Sequence, residues 1–126
     1  MARRQQEPIE VWDSVFDPGV DDHVCLVKDR KSELPRYRVF LYLRGPRLPF
    51  VRSVRYKLHP SFKRPNLSVR RSLSNPNCMA TIWVWGLFEV DVTVVEKNGR
   101  KYTISHMLRY DGDLGHPNIE VQDASY

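Results

Sequence analysis

At 126 residues the chain has room for one hydrophobic core and is too short for two, so a single domain over 1–126 is expected. Its 41% hydrophobic content and 11% aromatic content exclude wholesale disorder, while the absence of any apolar run near 18 residues and of a secretory leader in MARRQQEPIEVW argues against membrane insertion and for a cytoplasmic location. The net charge of +5 is unevenly placed, −4 over residues 1–27, +12 over 28–71 and −3 over 72–126. The middle third should therefore present a positive face that draws nucleic acid or an acidic partner, unless its Lys and Arg only solvate a sheet.

In chain order, residues 1–20 are expected to form a less ordered N-terminal segment, and Val24–Val27 a short strand. Tyr37 to Leu43 is rich in β-formers and stops at Arg44-Gly45-Pro46, a chain-breaking turn. Val51 to Leu58 alternates, with Val54, Tyr56 and Leu58 on one side and Arg55 and Lys57 on the other. From Lys63 to Asn77, prolines, asparagines and arginines predict a long irregular loop, the kind of segment that often carries function. Phe88-Glu89-Val90-Asp91-Val92-Thr93-Val94 alternates without error, the mark of a half-buried strand. It runs into Lys97-Asn98-Gly99-Arg100, where Asn-Gly favours a tight hairpin with both central residues at positive φ. The next strand should begin near Lys101 and carry Tyr102 and Ile104, and Ile119–Val121 suits a last short one. About seven short strands with no capped helical stripe predict an all-β antiparallel sandwich.

Few residue patterns point to catalysis or metal. His59 and Ser61 could pair as base and nucleophile, but no Gly-x-Ser-x-Gly elbow exists and no acid lies nearby to orient the histidine, so an enzyme is not expected. His23, His59, His106 and His116 are scattered, and Cys25 and Cys78 form no CxxC pair. No metal and no cofactor are therefore expected, and the cysteines read as idle thiols of a reducing compartment.

Two segments carry a resemblance. Leu58-His59-Pro60-Ser61-Phe62-Lys63-Arg64-Pro65 leaves a strand, and Trp83-Val84-Trp85-Gly86-Leu87-Phe88-Glu89-Val90 enters one. Together they resemble the YEATS family, with its His-x-Ser-Phe loop and its aromatic-Gly-x-Phe turn. Val39-Phe40 to Arg44-Gly45-Pro46 and Gly115-His116-Pro117 support the match, which covers roughly residues 35 to 120, and the short chain is most similar to the compact prokaryotic members. The resemblance implies an immunoglobulin-like sandwich that reads acylated lysine in a slot between two end loops. Phe62 and Trp85 would be its aromatic walls, Ser61 would hydrogen-bond the acyl amide, and His59 would orient the serine. A backbone N–H near Trp85 and Gly86 would hold the acyl carbonyl, while Trp83 and Tyr37 would complete the site. The neutral amide asks for aromatic faces and fixed polar groups, whereas an unpaired lysine charge would be rejected. The expected partner is a protein or peptide segment, with nucleic acid on the basic face as the rival. The family has a glycine where Val84 stands, and a Cβ there could narrow the slot or change the turn. The residues also admit plainer roles: Phe88 lies on the alternating apolar face and should be core, Phe62 could plug the sandwich end, and His59 and Ser61 could be turn formers.

Overall fold

The computed structural model describes residues 8–16, 25–29, 36–84, 86–110 and 120–123. Nine strands are found there: β1 (Glu10–Ser14), β2 (Cys25–Asp29), β3 (Arg36–Arg44), β4 (Val51–Lys57), β5 (Asn66–Arg70), β6 (Ala80–Val84), β7 (Glu89–Glu96), β8 (Lys101–Met107) and β9 (Glu120–Asp123). Among the described residues there is no α-helix, and a 3-10 turn at Leu48–Phe50 links β3 and β4. The result is the all-β immunoglobulin-like sandwich that the alternation and the family resemblance implied.

The first sheet is built on β3. β6 pairs along one side of it, while β1 and β2 share the other, β1 against Phe40–Arg44 and β2 against Arg36 and Tyr37. β9 adds to β2 in parallel, the single departure from antiparallel pairing among the described strands. The second sheet runs β5-β4-β7-β8, with a register shift in β4 between Val51 and Ser53.

Period-two alternation fixes which faces meet. Val39, Leu41 and Leu43 of β3 and Ile82 and Val84 of β6 point inward, opposite Val54 and Tyr56 of β4 and Val90, Val92 and Val94 of β7, all buried. Tyr56 reaches across this core to donate its hydroxyl to the Cys78 carbonyl at 2.7 Å, and burial pushes its pKa well up. Cys78 is buried as a free thiol, its pKa raised by burial to about 11, so it is inert at neutral pH.

Three local features differ from the sequence expectations. The N-terminal segment contains β1, whose inward positions are Val11 and Asp13. The expected loop Lys63–Asn77 holds β5, an edge strand whose residues are exposed or only half-buried. The hairpin after β7 uses a three-residue loop: Glu96 N–H bonds the Arg100 carbonyl and Gly99 N–H the Glu96 carbonyl, and of Asn98 and Gly99 only Gly99 has positive φ, +89°. Such a loop needs the left-handed conformation at one position, which glycine supplies. Gly45 (φ +134°) is demanded by packing as well, because a Cβ there would lie 2.6 Å from the Pro8 carbonyl oxygen.

Two buried carboxylates hold the sandwich together. Asp13, on the inner face of β1, binds His106 Nε2 of β8 at 2.5 Å and accepts the Arg109 backbone N–H at 2.8 Å, so one side chain ties the two sheets along one flank. Glu96 is fully buried and accepts both Arg47 Nε and Nη2, at 2.8 and 2.9 Å, and the Tyr102 hydroxyl at 3.1 Å. Arg47's hydrogen bonds, aided by Tyr102 and by the charge of Arg100, hold Glu96 below the usual carboxylate range against the opposing effect of burial.

Replacing Asp13 by Ala leaves the His106 ring and the Arg109 N–H without their carboxylate, and is expected to cost about 1–3 kcal/mol in urea denaturation. A loss indistinguishable from zero would mean that the flank is held by apolar packing alone. Because the folded pKa of Glu96 is depressed, its stabilisation is full above the ordinary carboxylate range and is lost as pH falls through the folded value. The melting temperature should therefore decline on acidification below that range, with a shallower slope in Glu96→Gln. An identical slope in the two proteins would place the acid sensitivity elsewhere.

Candidate functional site

The end of β4 delivers Leu58 to the core and turns outward at once. Phe62 N–H bonds the His59 carbonyl at 3.1 Å, a tight turn with Pro60 and Ser61 at its centre. Leu58 N–H bonds the Pro65 carbonyl at 2.6 Å, which returns the chain into β5. This loop is pinned at its base, and His59 and Ser61 are left exposed.

Within the turn, the Ser61 N–H donates to His59 Nδ1 at 3.1 Å, so that nitrogen presents its lone pair. The Ser61 hydroxyl lies 2.7 Å from the same nitrogen and donates to it as well. With its hydrogen committed, Ser61 Oγ faces an incoming group as an acceptor. The His59 ring meets Phe88 in a T-shaped contact at 6.0 Å between centroids, and Phe62 lies 5.5 Å from the same ring at 57°. Phe88 is thus half-buried support for both loop residues as well as part of the packing against the core.

Ser61 and Phe62 open onto a cleft of about 580 Å³ whose lining includes residues of the edge strands β5 and β6. Leu58, Leu67 and Ile82 form apolar lining, Thr81 and Trp83 of β6 stand along one wall, and Lys63 and Arg64 complete the loop side. Trp83 points to the outer side of β6, as its register with Arg38 requires, and reaches the cleft from the sheet edge. Val84 takes the opposite direction and is fully buried, so its Cβ enters the core and not the cleft.

Tyr37 and Gly86 belong to a neighbouring group at the same end. Tyr37 packs on Tyr110 with centroids 6.0 Å apart, and the Tyr110 hydroxyl donates to the Gly86 carbonyl at 3.2 Å. Tyr37 lies on the inner side of β3, in register with Val84, and does not line the cleft. Trp85, Gly115 and His116 lie outside the described residues. The structure therefore brings Ser61, Phe62 and Trp83 together, sets His59 behind the serine, and places Tyr37 and Gly86 beside the cleft through Tyr110. Sequence reasoning missed Tyr110 and the cleft residues Leu67 and Thr81. No spacing signals them, because each is brought in by pairing across strands. Among the described residues no cluster of His, Cys, Asp or Glu could hold a metal ion, and no helix is long and apolar enough to cross a membrane.

The family model described as the prokaryotic YEATS domain matches residues 37–109, which include both loops. Among solved structures the chain is similar to the Yaf9 YEATS domain recognizing an H3K122suc peptide, at 18% identity over 93% of this chain and 81% of that one, with a TM-score of 0.51. It is similar also to the yeast AF-9 homolog protein Yaf9, at 18% identity over 82% of this chain and 72% of that one, with a TM-score of 0.52. At these identities the likeness speaks for the fold. No curated protein matches the sequence.

Because Phe88 supports two loop residues while only half-buried, Phe88→Ala is expected to lower stability by about 2–3 kcal/mol, short of the cost of emptying a fully enclosed site. Phe62→Ala should cost less than half as much. Equal losses in chemical denaturation would make Phe62 a core plug and not a wall of the cleft.

Proposed function

The chain belongs to the prokaryotic YEATS domain family, and on that footing we propose that it is a non-enzymatic recognition module for a protein or peptide segment carrying acylated lysine. The observation that supports this reading most is the cleft lined by Phe62, Trp83 and Ser61, with the serine hydrogen-bonded to His59. An acyl-lysine amide presents a flat, neutral group with one N–H donor. Aromatic side chains can cover its faces, and Ser61 Oγ can accept that N–H. Unmodified lysine would bring an ammonium to a cleft whose charged lining residues are Lys63 and Arg64, where it gains no counter-charge and loses water. Trp85 and Gly86 follow β6 directly, and in this reading they supply the second loop wall and the backbone donor to the acyl carbonyl.

The His59–Ser61 pair serves binding here and not hydrolysis. Its histidine nitrogen is fixed by the Ser61 main-chain N–H within the same short turn, a geometry that orients the hydroxyl without an acid to stabilise an imidazolium. A cytoplasmic sensor or adaptor fits this assignment, since recognition by a compact domain needs no further chemistry of its own.

Titration calorimetry with acylated and unmodified lysine peptides is the direct test, with binding expected only to the acylated forms. Phe62→Ala and Trp85→Ala should each weaken binding about ten- to hundredfold, as expected for loss of a wall worth about 1–3 kcal/mol, while Ser61→Ala should cost about 1 kcal/mol. Equal affinity for unmodified and acylated peptides would overturn the proposal.

A further inference from the structure

The loops at the other end of the sandwich have a different chemistry. The start of β4, the end of β5 and the β7–β8 hairpin converge there, because β4 pairs antiparallel with both β5 and β7. They enclose a hollow of about 390 Å³ whose charged lining residues are Arg52, Arg70, Arg71 and Lys97. No carboxylate shares the lining. The nearest buried acid, Glu96, is already neutralised by Arg47 through two hydrogen bonds.

One of these cations is set in place. Arg71 donates through Nε to the Pro76 carbonyl at 2.9 Å and lies 3.5 Å through Nη1 from the Pro49 carbonyl, while its backbone N–H bonds the Arg52 carbonyl. A guanidinium held in this way loses little further freedom when it meets an oxyanion, and Arg presents a planar fork suited to phosphate.

The hollow opens onto the outer face of the second sheet. Arg70 stands beside Ser53, Ser53 beside Val95 and Val95 beside Lys101, and one step along the strands Ser68, Arg55, Thr93 and Thr103 follow in register. Successive outward residues on a strand are about 7 Å apart, so the cations continue beyond the reach of one bound phosphate. Ser53, Ser68, Thr93, Thr103 and Val95 fill the spaces between them, the outward strand positions here carry no aromatic side chain, and the exposed Phe50 beside Lys97 has its ring covered by Arg47. Its acids, Asp91 and Glu89, lie toward the opposite end. Such a surface suits a repeating phosphate backbone with paired bases and not an unstacked single strand.

We propose that the hollow of Arg52, Arg70, Arg71 and Lys97, with the adjoining outer face of β4 and β5, binds the phosphate backbone of duplex nucleic acid. The site lies opposite the peptide cleft and shares no residue with it.

The test is fluorescence anisotropy of a labelled mixed-sequence DNA duplex titrated with the whole chain over a range of salt. Binding should be measurable at low salt and fall linearly in a double-logarithmic plot against salt concentration. In Arg70→Ala/Lys97→Ala the affinity should drop at least tenfold and the slope become shallower by about two, one for each lost phosphate contact. Arg52→Ala/Arg70→Ala, a second pair of exposed residues, should behave alike if the first pair disturbs folding by circular dichroism. Affinity of either folded variant for an acylated peptide should stay unchanged, which separates this site from the cleft. Absence of duplex binding at low salt, or unchanged affinity and slope in both variants, would overturn the proposal. So would tighter binding to polyglutamate or to anionic lipid vesicles than to the duplex. Full displacement of the duplex by low-millimolar inorganic phosphate at constant ionic strength would reassign the hollow to the free ion.

Discussion

The sandwich depends on an asymmetry between its two flanks, and the asymmetry begins with one carboxylate. Asp13 sits where β1 and β8 approach, and takes hydrogen bonds from the His106 ring and the Arg109 backbone. A charged side chain on an inner face costs desolvation unless its lone pairs are satisfied, so the two edges are held in register wherever that condition is met. No equivalent clasp is found between β5 and β6 among the described residues. On that flank lies the cleft that Ser61, Phe62 and Trp83 line. Closure on one side and access on the other are two results of the same packing.

The ends of the sandwich are then differentiated by what their loops carry. At the β4–β5 turn Ser61 and Phe62 face the cleft, His59 is hydrogen-bonded to Ser61, and Lys63 and Arg64 are exposed with no ion pair to hold them among the described residues. At the β7–β8 hairpin the contacts are ionic, with Glu96 drawing Arg47 and Tyr102 inward while Lys97 and Arg100 remain outside. Tyr102 shows the strength of that local field: burial, with the hydrogen bond to Glu96, raises its pKa to about 12. Strand polarity assigns these chemistries to opposite ends, because every loop follows the direction of the strand that feeds it.

Much of this was legible in the sequence wherever one face of a strand is purely apolar. β7 alternates cleanly, as does β4 beyond its register shift at Val51–Ser53; both could be placed to within two residues, and β3 ends at its Gly-Pro turn as expected. β1 escaped because its inward positions include Asp13, a polar residue on the face where an apolar one marks a strand. β5 escaped although Asn66-Leu67-Ser68-Val69-Arg70 alternates and Leu67 and Val69 pack against the core, because it is only five residues long and is flanked by the prolines and asparagines that signal a loop. In the hairpin, Asn-Gly was a correct turn signal whose geometry was set by one glycine and not by the pair. Of the candidate site, the loop residues His59, Ser61 and Phe62 were visible through the motif they form. Tyr110 and Leu67 were not, since nothing local distinguishes a residue that acts only through cross-strand contact. Arg44 lies over the Trp12 ring, a contact that sequence distance also hides.

β4 is the spacer of the molecule. Its seven residues, at about 3.3 Å each, set the Ser61–Phe62 cleft and the basic hollow about 20 Å apart on a rigid, doubly paired strand. The lining residues of the two sites are distinct. When both belong to one assembly, capture at one end raises the local concentration of the other ligand at the far end. Avidity would then exceed either affinity without any new contact, provided that the assembly can span that fixed gap.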